Sequence, residues 1–269
     1  MFSATQLLER DFTPNGRERR RMRTRNQLFH SPYWERASAA TAAVRDVFRS
    51  SLFKGVLAAR QVAIPIVVVQ VVMVSLVLSF FFVAPVQTAF QQVVAFKNQM
   101  GFPFAFVSMG LISVFAECIR RMGARETDDS FVGNAAYGFV VFGFLGVATD
   151  AFYMLQGAMW SWLPPGAQIP AKVLTDQFVY TVFFANPYQT LLYVFKDCGF
   201  RMTAFANRLQ PFRHFYAREM LAVLVTNWAF WIPTTAILYC LPSDLQFVIC
   251  QLAIVIWVLL LTTLTKTTK

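Results

Sequence analysis

The sequence predicts an all-α integral membrane protein: a bundle of about six transmembrane helices with amphipathic helices lying in the interface. Three observations predict it. Of 269 residues, 57% are hydrophobic and only 14% charged, against roughly a quarter charged in soluble domains. The stretch 221–264 holds two long apolar runs joined by a short polar turn at Pro242, Ser243 and Asp244. A hydrocarbon core about 30 Å thick needs about 20 apolar residues of helix, and backbone groups in lipid must be bonded within their own segment. Finally, all of the 24 Lys and Arg except Lys97 and Lys172 fall in segments that a six-helix topology places on one side. That asymmetry sets both termini on the cytoplasmic or matrix side.

Residues 1–37 form a basic tail in which Arg17, Arg19, Arg20, Arg21, Arg23 and Arg25 crowd together, interrupted by Glu9, Asp11 and Glu18. A transit peptide would be poor in acids, so the tail fits one only in part. Such a cluster also suits nucleic acid, but anionic headgroups are the expected neighbour and nucleic acid is not an expected partner. Residues 38–61 read as an interfacial helix, with Val44, Phe48, Leu52, Val56 and Ala59 on one face and Arg45 and Arg49 off it.

The bundle occupies 62–269. Its first crossing, 62–84, starts too late for a signal peptide. Pro65 in its first turn costs no helical bond. The second runs over 102–119, with Glu117 near its end and Arg120 and Arg121 after it. The third spans 132–160 and carries Asp150. The fourth spans 174–195 and follows a loop rich in Pro and Gly at 164–170. A basic link, 196–219, reads as partly interfacial helix before the terminal pair of crossings.

Ionisable groups inside a membrane are costly and should face protein or water. Asp150 lies about 16 Å beyond Phe139 at helical rise, near the expected midplane, and Asn186 is expected at the same depth. Asp150, Asn186 and Asp176, with Lys172, Gln177 and Glu117, are therefore the pore-lining or gating candidates. Thr234 and Thr235 could join them. The competing reading makes Asp150 a polar group that glues helices together. Gly143 and Gly146 are candidates for close helix approach, and Trp231 and Trp257 for packing or interface anchoring. Gln251 and Asn227 are expected to bond between helices.

Chemistry of other kinds finds little here. Cys118, Cys198, Cys240 and Cys250 show no metal-type spacing, and His30 and His214 stand apart. No GxSxG, HExxH, P-loop or GxGxxG pattern occurs. The sequence therefore predicts no catalytic residues, no metal and no cofactor, and a protein that is not an enzyme.

Several motifs stand in a telling order. Gly110 precedes the acid Glu117 by seven residues. "GFLGVATDAFY" supplies Gly143, Gly146, Phe152 and Tyr153. "KVLTDQ" supplies Lys172, Asp176 and Gln177, and "TNWAFWIP" precedes Pro242 and then Trp257. In this order the region 100–264 resembles the Mpv-seventeen and PMP-twenty-two family of small mitochondrial and peroxisomal membrane proteins. This chain departs from the family pattern at Val147, Phe152, Val182, Ile237, Leu238 and Gln246. The resemblance implies a channel-like protein for small solutes or metabolites, and a family usually drawn with four spans. A mitochondrial or bacterial inner membrane is expected, a peroxisome less so. The partners expected are the lipid bilayer and small solutes, with a homo-oligomer left open. The reading from another class is a membrane scaffold or organelle-maintenance protein that binds a partner through the basic tail and transports nothing.

Overall fold

The computed structural model describes residues 33–124 and 131–267, so the basic tail lies largely outside the described residues. Among the described residues every regular element is a helix. In order these are α1 (Tyr33–Gln61), α2 (Ala63–Phe82), α3 (Ala84–Met100), α4 (Phe102–Ala124) and α5 (Phe131–Met159). Then come α6 (Pro165–Thr175), a π-helical stretch (Asp176–Ala185), α7 (Asn186–Asp197), α8 (Met202–Leu209) and α9 (Phe212–Phe215). A π-helical turn (Tyr216–Met220), α10 (Leu221–Leu238) and α11 (Ser243–Thr267) complete the chain.

Among the described residues three helical stretches are long and apolar enough to cross a membrane: Ala63–Phe82, Phe102–Ile119 and Phe131–Met159. The apolar parts of α10 and α11, Val223–Leu238 and Ser243–Ile256, are shorter. The expected crossing at 174–195 is instead the middle of one rod, 165–197, that is α-helical, then π-helical, then α-helical. The Asn186 N–H bonds the Thr181 carbonyl five residues back, and Pro187, which has no N–H, follows directly. The residues between the first two crossings also differ from expectation. They form helix α3, separated from α2 by one extended residue, Val83, and opened by a Pro in its first turn.

The described residues divide into two compact units, one within 59–192 and 227–267 and one within 33–58 and 193–226. In the first, α2 turns a stripe of Ile66, Val69, Met73 and Phe80 onto Phe230, Leu241, Leu245, Ile249 and Ala253 of the α10–α11 hairpin. Its other side carries Ile64, Val67, Val71, Phe81 and Phe82, with Phe82 81% exposed. A helix apolar on its outer face as well as its inner one would leave a large patch in water. In lipid that face is at home.

Helices α4 and α5 run antiparallel, because Gly110 faces Phe139 while Gly143 faces Phe106. A Cβ added at Gly146 would stand 2.5 Å from the Ala105 carbonyl oxygen and 2.6 Å from Met109 Cβ. Lipid provides no hydrophobic drive for helix association, so such close approach supplies the attraction through packing. Gln251 of α11 donates to Ser108 of α4 at 2.5 Å, and Gln70 of α2 donates to Thr234 of α10 at 2.8 Å. These bonds satisfy side-chain amides that lipid could not.

In the second unit, Phe215, Ala217, Met220, Leu221 and Leu224 form a buried core. Thr226 donates to the Gly55 carbonyl of α1 at 3.3 Å. The side of α1 that is buried here is small, Ser51 and Gly55, while Phe48, Phe53, Val56 and Leu57 stand exposed. Of the apolar face read from the sequence, Phe48 and Val56 stand exposed, Leu52 and Ala59 are half-buried, and the side chain of Val44 lies outside the described residues.

Candidate functional site

Among the described residues the buried charged groups of the first unit are Lys97, Asp150, Lys172 and Asp176. Asp150 is 3% exposed, and its Oδ1 lies 2.7 Å from Nζ of Lys97. Lys97 is the one buried residue of α3, and its ammonium stands 5.6 Å from the ring centroid of Phe247 in α11. The sequence placed Lys97 in an outer loop. Instead it is helical and ion-paired. Two charges taken from water lose several kcal/mol of solvation each, which only close pairing offsets.

Depth also differs from expectation. Because α4 and α5 are antiparallel, Asp150, one turn beyond Gly146, comes level with the α3–α4 junction at Gly101. It does not sit beside the middle of α4. The rod 165–197 is antiparallel to α5 too. Tyr137 donates to the Leu192 carbonyl at 2.7 Å, Tyr188 to the Val141 carbonyl at 3.0 Å, and the Thr149 and Tyr180 hydroxyls share a bond of 2.8 Å. That register sets Asn186 level with Gly143, about 10 Å along α5 from Asp150 at 1.5 Å per residue. Asp150 and Asn186 are therefore not at one level. Asn186 is buried and accepts from Thr190 at 3.5 Å.

Asp176 is the acid that does lie near. Tyr239, at the end of α10, donates its hydroxyl to Asp176 Oδ2 at 2.5 Å. Gln156 of α5 donates to the same hydroxyl at 2.9 Å. The Tyr153 ring meets the Tyr239 ring edge-on at 5.8 Å, and Lys172 Nζ lies 5.9 Å over that ring. Tyr239 is thus interposed between a cation at its face and a carboxylate at its hydroxyl. Asp176, Gln156, Lys172 and Tyr239 are all buried. Gln177 is buried as well; its backbone carbonyl accepts from Trp228 at 2.9 Å, while its side-chain oxygen and that of Gln156 have no partner. Removing the Tyr239 hydroxyl leaves the Gln156 amide without its acceptor and Asp176 with only its bond to Thr181. Tyr239→Phe is expected to cost about 1–3 kcal/mol, read as a lower unfolding midpoint in detergent, whereas an unchanged midpoint would mean the bridge contributes nothing.

The other candidates lie elsewhere. Glu117 is half-buried in α4. The side chain of Arg120 falls outside the described residues, and Arg121 stacks 5.0 Å over the Phe131 ring. Thr234 and Thr235 are buried and bond the Phe230 and Trp231 carbonyls of their own helix. Trp231 packs edge-on against Phe230 at 4.9 Å, and the Trp257 side chain is outside the described residues. A groove of about 710 Å³ opens between α5 and the rod, but its walls are apolar, among them Val140, Phe144, Ala148 and Phe184. None of the pore-lining candidates lines it. Among the described residues no group of three or more His, Cys, Asp or Glu could hold a metal ion.

Sequence reasoning missed Lys97, Gln156 and Tyr239. A signal for the first was present. Between 61 and 116 Lys97 is the sole charge, and between 131 and 171 Asp150 is the sole charge. Two isolated opposite charges in apolar surroundings call for each other. Nothing in the local pattern marks Gln156 or Tyr239.

No family model matches this chain, and no curated protein or solved structure matches it either.

Proposed function

We propose that this protein is an integral membrane protein of six crossings that passes small solutes or metabolites through a channel-like path. The path is gated at the cluster around Lys97, Asp150, Asp176 and Tyr239. The buried Lys97–Asp150 ion pair carries this reading. Charges at membrane depth are rare and pair with one another where ions or solutes move. The six crossings are α2, α4, α5, the rod 165–197, α10 and α11, with α3 bringing Lys97 in beside α5. The termini lie on the cytoplasmic or matrix side, supported by the distribution of Lys and Arg. With that orientation the cluster lies in the outer half of the bundle. The ordered motifs shared with the Mpv-seventeen and PMP-twenty-two family support the solute role and favour the mitochondrial inner membrane over a bacterial one.

A path closed by paired charges should conduct differently when the pair is reversed. In planar bilayers, the purified protein is expected to show discrete openings, and Lys97→Asp with Asp150→Lys is expected to change their ion selectivity. Selectivity that survives the exchange would remove the pair from the path. Silence from protein with confirmed folding and orientation would favour the second reading, a scaffold or organelle-maintenance protein that uses its basic tail. One observation favours that reading: the cluster's carboxylates are bonded to side chains of the same bundle. Recovery of a partner lost on deleting residues 1–36 would then identify the tail as the binding element.

A further inference from the structure

We propose that the segment 199–213 is a docking surface for anionic lipid headgroups. The argument starts from its backbone. The chain leaves α7 through Gly199 and Phe200, both left-handed at φ 63° and 59°. That region is uncommon for an aromatic residue. The reversal is held by rings: Phe195 meets Phe200 edge-on at 5.5 Å and Phe205 at 5.3 Å.

Helix α8 follows, and it has no buried residue. Eight residues make a marginal helix in water, because such helices depend on packing one face. Here Met202, Phe205 and Leu209 fall at i, i+3 and i+7, yet Met202 is 70% exposed. Phe200 before the helix and Phe212 after it are more than half exposed. The protein therefore supplies little of the cover this face requires.

The charge of the segment says what does. Arg201, Arg208 and Arg213 are all exposed, and no Asp or Glu occurs between 198 and 218. Exposed aromatic and thioether side chains interleaved with exposed arginines, in a segment that carries no acid of its own, match the boundary of a leaflet. The apolar groups enter the acyl margin while the guanidinium groups meet phosphates. Zwitterionic headgroups also carry a phosphate, but their ammonium cancels its charge, so they leave the net positive charge of the three arginines unbalanced. Guanidinium pairs with phosphate oxygens in forked hydrogen bonds, which lysine does not reproduce. The occupant is therefore an anionic phospholipid.

The test uses the full chain in nanodiscs, either of phosphatidylcholine alone or of equal parts phosphatidylcholine and phosphatidylglycerol. Hydrogen exchange is followed at the amides of 202–209. Exchange is expected to be at least about tenfold slower in the anionic discs, with the difference shrinking as salt is raised. It should vanish in R201Q/R208Q/R213Q and persist, reduced, in the triple Arg→Lys variant. Equal exchange in the two lipids overturns the proposal, whether it is slow because protein or nucleic acid covers the segment or fast because the segment stands in solvent. If the glutamine variant fails to fold, the lipid comparison on the unaltered chain and the lysine variant still decide. The conductance experiment reads a separate part of the molecule, so failure here leaves the solute reading intact.

Discussion

Lys97→Met is expected to destabilise the protein by about 3–5 kcal/mol, because it leaves Asp150 as an uncompensated charge inside the first unit. Asp150→Leu should cost a similar amount by stranding Lys97. The diagnostic variant is the double substitution, which removes both charges and replaces them with apolar groups of similar bulk. It should recover most of the loss, since an intact buried pair contributes little net stability over a hydrophobic substitute. Unfolding midpoints in detergent for the two singles and the double complete the cycle. If the single substitutions cost no more than typical surface changes, the 2.7 Å pair is not buried in the way the structure describes. If the double is as unstable as the singles, the residues matter through shape rather than charge. A double variant that is stable yet silent in bilayers would separate the two issues. The pair would then serve function at no structural cost.

The second large effect is expected at Gly146. A β-branched side chain there meets backbone, since the Ala105 carbonyl oxygen would lie 2.5 Å from the first carbon added. Backbone on a packed helix does not move aside as a flexible side chain can. Gly146→Val should therefore force α4 and α5 apart, with a cost at or above the usual 1–3 kcal/mol of overpacking. The damage should spread to Gln251–Ser108, which joins α4 to α11. Gly133→Val in the same helix is the control, because a Cβ there meets nothing within 4 Å. Monodispersity and unfolding midpoint in detergent should fall for the first and hold for the second. Equal tolerance at both positions would show that α4 and α5 are not in close contact at Gly146.

How much of this was legible beforehand is best seen in particular residues. The long apolar runs at 63–82, 102–119 and 131–159 are helices, as backbone hydrogen bonding in lipid requires. The spacing of Gly143 and Gly146 already pointed to a near neighbour, though not to which helix. Lys97 was misplaced because a lone cation among glutamines reads as a polar loop, whereas α3 packs it into the first unit. Asp150 and Asn186 were set at one depth by counting residues within each apolar run. Depth depends instead on the register between helices. The contacts of Tyr137 with Leu192 and of Tyr188 with Val141 fix that register and part the two residues.

By itself, the sequence determined the helical class, the apolar spans at 63–82, 102–119 and 131–159 and the isolation of a few charges, because each is a property of a segment and its own backbone. Only the tertiary structure decided which charges meet, that Tyr239 stands between Lys172 and Asp176, and that α8 buries none of its residues. Those facts depend on the rotation and register of packed helices. Local periodicity carries no information about either, since a helix shifted by one turn against its neighbour has the same sequence and different contacts.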